Sequence, residues 1–141
     1  MSRILALDVG DERTGVAISD ELGLLARPLE VILRRPGPGG FIRIAEIVRA
    51  QEISAIVIGL PLLADGSEGK QAASSRAFAR GLERYVTVPL VWRDETDTSR
   101  RALEILAAEG RTARRQAQLV DEVAAAVLLQ GYLDEQTEHR Q

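Results

Sequence analysis

The chain contains no cysteine, one histidine and one lysine among its 141 residues. Without thiols, disulfides and thiolate metal sites are excluded, and a cytoplasmic location is the expectation. The histidine, His139, lies in the polar stretch EQTEHRQ, so metal or triad chemistry built on imidazole has almost nowhere to form. Any catalysis must rest on carboxylates, hydroxyls, backbone groups or arginine. Also missing is an apolar run approaching the roughly 20 residues that span a bilayer. The opening MSRILALD enters a strand at once, with neither the length nor the cleavage pattern of a signal peptide. No membrane partner is therefore expected.

What is there is the composition of a globular protein, 45% apolar and 28% charged. The length predicts one domain over residues 1–133, with 134–141 as a frayed tail. A net charge of −3 argues mildly against a nucleic-acid partner. The distribution of charge points the other way. Arg100, Arg101, Arg111, Arg114 and Arg115 stand against only Glu104 and Glu109, and a second basic group comprises Arg34, Arg35, Arg43 and Arg49. Such stripes could hold phosphates. Because Lys70 is the only lysine, arginine could equally be replacing lysine on solvated faces.

The stretch ILALDVGDERTGVAISD predicts two strands, 3–9 and 14–20, around the turn 10–13, and LARPLEVIL (25–33) predicts a third. PGPGG breaks regular structure, and FIRIAEIVRAQ (41–51) has the spacing of an amphipathic helix. SAIVIGLP (54–61) reads as a strand buried on both faces. A loop follows, then a helix over 70–84, a buried strand VPLVW (88–92), a capped helix ending at Gly110, and a last helix over about 115–133. Three strands followed by alternating units imply a five-stranded mixed sheet flanked by helices, the order of the RNase H-like fold.

Three carboxylates stand out. Asp8 shares a strand face with Ile4 and Ala6; it could cap the turn, satisfy a buried backbone group or bind a metal. Glu95 follows a buried strand, where α/β sheets usually bind ligands, although it also suits the first turn of a helix. Asp121 has Ala117, Ala124, Ala125 and Leu128 as helical neighbours, an expensive place for an unpaired charge, unless the helix starts there and Asp121 is its N-cap. Gathered together, three carboxylates would repel and take up protons unless a cation sat between them. An all-oxygen site suits Mg²⁺ or Mn²⁺, and two such ions about 4 Å apart can drive phosphodiester hydrolysis.

In order and spacing, ALDVGDERTGVAISD, IVIGLPLLADGSEGKQAASSRAFARGL, VPLVWRDETDTSRRALEIL and LVDEVAAAVLLQGYL resemble the YqgF family of RNase H-fold nucleases, over about residues 3–133. Members are described as Holliday-junction-resolvase-like proteins and as nucleases maturing the 5′ end of 16S ribosomal RNA. The resemblance implies that Asp8, Glu95 and Asp121 are catalytic and hold Mg²⁺ or Mn²⁺. It departs from the family at Thr96, where Arg is usual, so that any phosphate contact by that Arg would be lost or moved to Arg93 or Arg100. RuvC-type resolvases carry a glutamate after the fourth strand; here that place reads Ile58-Gly59-Leu60-Pro61, and Glu95 would substitute for it.

Further substrate contacts are expected from Arg114 and Arg115 and from the 61–69 loop, where Ser67 and Lys70 offer phosphate donors, though Asp65-Gly66 could be a plain surface turn. Trp92, inside an apolar strand, is expected in the core rather than as a platform for bases. The function expected is metal-dependent cleavage of structured nucleic acid, either ribosomal RNA precursor or a four-way DNA junction. The junction would require a C2 homodimer. Two other classes compete. One is a nucleic-acid-binding protein with the fold but no catalysis. The other is half of an actin-like or sugar-kinase ATPase, whose phosphate-embracing turn Asp8-Val9-Gly10…Gly15 resembles, but whose site needs two domains.

Overall fold

The computed structural model describes residues 3–95 and 113–139, including side chains 123–138 of the last helix. Five strands form one sheet: β1 (Arg3–Val9), β2 (Arg13–Ser19), β3 (Ala26–Leu33), β4 (Ile53–Leu60) and β5 (Leu90–Asp94). Their spatial order is β3-β2-β1-β4-β5, with β1, β4 and β5 parallel and β2 antiparallel to both its neighbours. Helix α1 (Gly39–Ala50) precedes β4, α2 (Lys70–Leu82) precedes β5, and α3 (Ala113–His139) closes the chain. This is the expected five-stranded mixed sheet. The helix expected to end at Gly110 lies outside the described residues, as does Arg100.

Alternation along the strands divides the core in two. Leu5, Leu7 and Val9 of β1 join Val16, Ile18, Ile56 and Ile58 beneath α1 and α2, which contribute Ile44, Ile47, Phe78 and Leu82. On the opposite face, Ala6, Ala17 and Val57 lie under Ala125, Leu128, Leu129 and Leu133 of α3. Small residues on this second face let the helix approach closely. Asp8 has the parity of Ala6, so it belongs to the α3 face.

Two elements differ in extent from expectation. Strand β5 runs to Asp94 because Gly59 and Leu60 pair with Arg93 and Asp94, and the Glu95 amide still donates to Leu60 O at 3.3 Å. The frayed tail expected from 134 is also corrected, since α3 remains helical to His139. Tertiary partners hold that end: Glu135 accepts a 2.7 Å bond from the Arg93 guanidinium, and Leu133 is buried. Farther back, Gln130 clasps the β2–β3 hairpin, accepting from Ala26 N and donating to Leu24 O, both at 2.9 Å.

Candidate active site at the carboxyl ends of the parallel strands

The sheet brings Asp8 and Glu95 together although they lie 87 positions apart in the sequence. Asp8 stands near the end of β1, opposite Gly15 of β2. On its other side β1 pairs with β4 up to Leu7–Ile58, so the next step places Asp8 beside Gly59. Glu95 follows β5 and folds back over β4. A β-carbon at Gly59 would sit 2.5 Å from Glu95 Cδ and 3.0 Å from Oε1. The carboxyl group therefore fills the space that a side chain at 59 would need. The missing side chain at Gly59 makes room for Glu95.

The two carboxyls are hydrogen-bonded to each other. Loss of hydration raises both. At Asp8 the bond from Glu95 opposes the rise, whereas Glu95 is pushed further, to about 10, by the negative charge of Asp8, by the hydrogen bond and by Asp94. At neutral pH Glu95 carries the shared proton and donates it to Asp8. Two carboxyls sharing one proton mark a place where a cation is the natural replacement for that proton. The donor set, all oxygen and anionic once the proton leaves, fits a hard divalent ion. Among the described residues no three acidic or imidazole groups converge in this way. Asp121 lies on α3 one turn before Ala125, with its side chain outside the described residues.

Among the described residues the expected phosphate donors are dispersed. Arg93 points to the α3 face, where its guanidinium pairs with Glu135 and lies across Gly131; a β-carbon there would be 2.7 Å from Nη2. Ser67 is committed to its own loop, its amide and hydroxyl both donating to Asp65 Oδ1. Gly66 takes φ of 86°, and Leu63 N donates to Ser67 O at 2.8 Å, so residues 63–67 form a closed turn. Lys70 is exposed at the start of α2, beside an open, mainly apolar recess of about 490 Å³ that also includes Pro61, Leu62 and Leu63. Arg114 and Arg115 lie in the first turn of α3, their side chains outside the described residues.

Trp92 packs against the α1/α2 core as expected, with the Arg76 guanidinium 4.9 Å above its ring. Arg76 is also bound by Glu68, which ties the 61–69 loop to α2. Two residues escaped the sequence reading: Gly59 and Gly131. The available signal was a glycine inside an otherwise apolar run, which marks a close approach.

Comparison with known proteins agrees with this geometry. The family described as RuvX, Holliday junction resolvase, matches residues 2–135. A protein of Syntrophus aciditrophicus named "Putative pre-16S rRNA nuclease" is 44% identical, over 94% of this chain and 88% of its own length. A Moorella thermoacetica protein of the same name is 42% identical over 94% of both. Among solved structures, Thermus thermophilus RuvC in complex with a Holliday junction superposes with a TM-score of 0.57 at 16% identity, over 97% of this chain and 96% of that one. The fowlpox virus resolvase bound to junction DNA gives 0.55 at 12%, over 95% and 98%. At these identities the structural likeness concerns the fold. Among the described residues no helix is long and apolar enough to cross a membrane.

Proposed function

The chain belongs to the RuvX family, the YqgF-type nucleases whose motifs it carries, and from that premise we propose a divalent-metal-dependent endonuclease that hydrolyses phosphodiester bonds in structured nucleic acid. The observation that carries this reading is the proton-sharing pair Asp8–Glu95, set over Gly59 at the carboxyl ends of the parallel strands. Asp8, Glu95 and Asp121 would hold Mg²⁺ or Mn²⁺. When bound, such ions activate water and stabilise a departing oxygen.

The chain's own groups define the rest. Glu95 holds the shared proton; with a cation held there it would give that proton up, and the pair would carry two negative charges instead of one. Gly59 keeps the β4 surface clear for the Glu95 carboxylate, and β5 pairing fixes its height above the sheet. Lys70, Ser67, Arg93, Arg100, Arg114 and Arg115 remain the proposed contacts to the nucleic-acid backbone; the structure gives Arg93 and Ser67 internal partners that a substrate would have to displace.

The proposed substrate is precursor 16S ribosomal RNA, cut toward its mature 5′ end in the cytoplasm. The name borne by relatives at 42% to 44% identity supports precursor 16S RNA as the substrate. The description of the matched family favours a second reading, a four-way DNA junction cut by a homodimer. Purified protein with Mn²⁺ or Mg²⁺ should be offered both substrates, with Asp8→Asn as control. RNA cleavage abolished by Asp8→Asn supports the first reading. Paired symmetric cuts in the junction support the second. Tight binding without cleavage by either protein would leave a binding protein and end the enzymatic reading.

A further inference from the structure

The second basic group, unused by the carboxylate site, borders a cavity on the opposite face of the sheet. It encloses about 230 Å³ between β2, β3, the 34–38 loop and the first turn of α1. Its wall includes Thr14, Ile32, Arg34, Arg35, Phe41 and Phe78. Thr14 is 1% exposed, and among the described residues its hydroxyl has no hydrogen-bond partner. A buried hydroxyl of this kind is normally satisfied, so the site lacks an oxygen or nitrogen that a ligand can supply.

Three independent features at the same place favour an anion. Helix α1 begins without a side-chain cap and without an acidic residue in its first turn. Gly40 and Phe41 of that turn line the cavity, which lies where unpaired N–H groups and the positive helix end attract negative charge. Arg34 is held in place, donating to Gly10 O at 2.9 Å and Ser74 Oγ at 3.1 Å, with its guanidinium 5.7 Å from the centre of the Phe78 ring. Arg35 is exposed and has no ion-pair or hydrogen-bond partner among the described residues. Gly37, at φ of 93°, shapes the loop that brings these arginines to the rim.

The remaining wall is apolar and aromatic. Phe41 and Phe78 meet edge to face, with centroids 5.0 Å apart. Phosphate chemistry beside an aromatic wall and a lone hydroxyl matches one nucleotide: phosphate at Arg35 and the α1 N-terminus, base against the rings, base edge toward Thr14. At about 230 Å³ the volume lies below the roughly 300–1,000 Å³ of sites that enclose drug-sized ligands. It suits one small unit.

We propose that this cavity is a second binding site that takes a single phosphorylated nucleotide, either unstacked from a bound strand or free. The strand-borne form rests on the nuclease reading. Arg34 bonds to the β1–β2 turn that begins two residues after Asp8, so a strand leaving the carboxylates around that turn would reach the cavity.

The test uses the full chain carrying Asp8→Asn, which keeps nucleic acid intact, alone and combined with Thr14→Val or Arg35→Ala. Precursor 16S RNA, a four-way DNA junction and adenosine 5′-monophosphate are each titrated, and amide resonances of Gly37, Gly40 and Phe41 are followed by NMR. The expected result is that a nucleotide-bearing ligand moves these amides and that each added substitution weakens its binding about tenfold. Thr14→Val should melt no lower than its parent, because it keeps the shape and removes the orphan hydroxyl. A response to RNA or junction but not to the mononucleotide assigns the site to a strand. A response to the mononucleotide from a chain that binds neither nucleic acid assigns the site to a free nucleotide and removes the nuclease reading alone, whereas a response to both supports the proposal for either source. Unmoved amides with every ligand, or equal affinity in the substituted chains, would overturn the proposal.

Discussion

Gly59 and Glu95 compete for one volume: the position a β-carbon would take on the glycine is 2.5 Å from the glutamate's Cδ. Strand pairing sets this relationship, since Leu60 aligns with Asp94 and the residue that follows β5 folds back over Gly59 of β4. A carboxylate is thus supplied to the middle of the sheet end by a neighbouring strand.

Gly59→Ala should therefore displace the Glu95 carboxyl while leaving the sheet intact, because the obstructed atoms end a flexible side chain. Cleavage should fall about 100-fold, in keeping with the cost of misplacing a catalytic group by an ångström. The melting temperature should move by only a few degrees. Full activity in the variant would contradict the placement of Glu95.

Without metal, Glu95 should make stability depend on pH in an unusual direction. Its carboxyl is raised from 4.5 to about 10, so between those values the folded chain holds a proton that the unfolded chain has released. Its contribution is fully present below about 4.5 and is lost as pH rises toward about 10. Glu95→Gln lacks this loss. In EDTA, its advantage in unfolding free energy over the parent, measured by denaturant titration, should grow with pH, reaching roughly 1–2 kcal/mol near neutrality. A constant difference from pH 5 to 9 would refute the shared proton.

Mn²⁺ or Mg²⁺ should reverse that trend. Cation and proton compete for Asp8 and Glu95, so the rise in melting temperature at a fixed metal concentration should increase with pH. Asp8→Asn should abolish most of the rise. Differential scanning fluorimetry with and without EDTA distinguishes these cases.

Gly131 offers a double-mutant test of how α3 is seated. Replacing an internal helical glycine with alanine ordinarily gains about 1 kcal/mol. Here the new carbon would fall 2.7 Å from Arg93 Nη2, so Gly131→Ala alone should give no gain. In an Arg93→Ala background the gain of about 1 kcal/mol should return. Urea unfolding of the four chains measures the coupling.

Much of the fold was legible because burial imposes periodicity. The alternation of β1, the continuous apolar run of β4 and the stripe of α1 each predict their element with boundaries within two residues. Asp8 stood out as a carboxylate in such a row, and Glu95 followed a strand recognisable from its apolar side chains. Their mutual hydrogen bond, however, depends on the β1–β4–β5 register, which no local pattern expresses. The same holds for Arg93. As an isolated residue it suited a phosphate contact, whereas its partners Gly131 and Glu135 are 38 and 42 positions away. The helical state of 134–139 was hidden for this reason too, because tertiary contacts hold a polar segment that propensity alone would let fray.

The clasp of Gln130 on Leu24 and Ala26 also orders events during synthesis. The hairpin emerges from the ribosome more than 100 residues before the side chain that grips it. Until α3 arrives, Ala6, Ala17 and Val57 have no cover, and Asp121 has not yet been translated. The half of the core on that face therefore closes only after the whole of the last helix has been made.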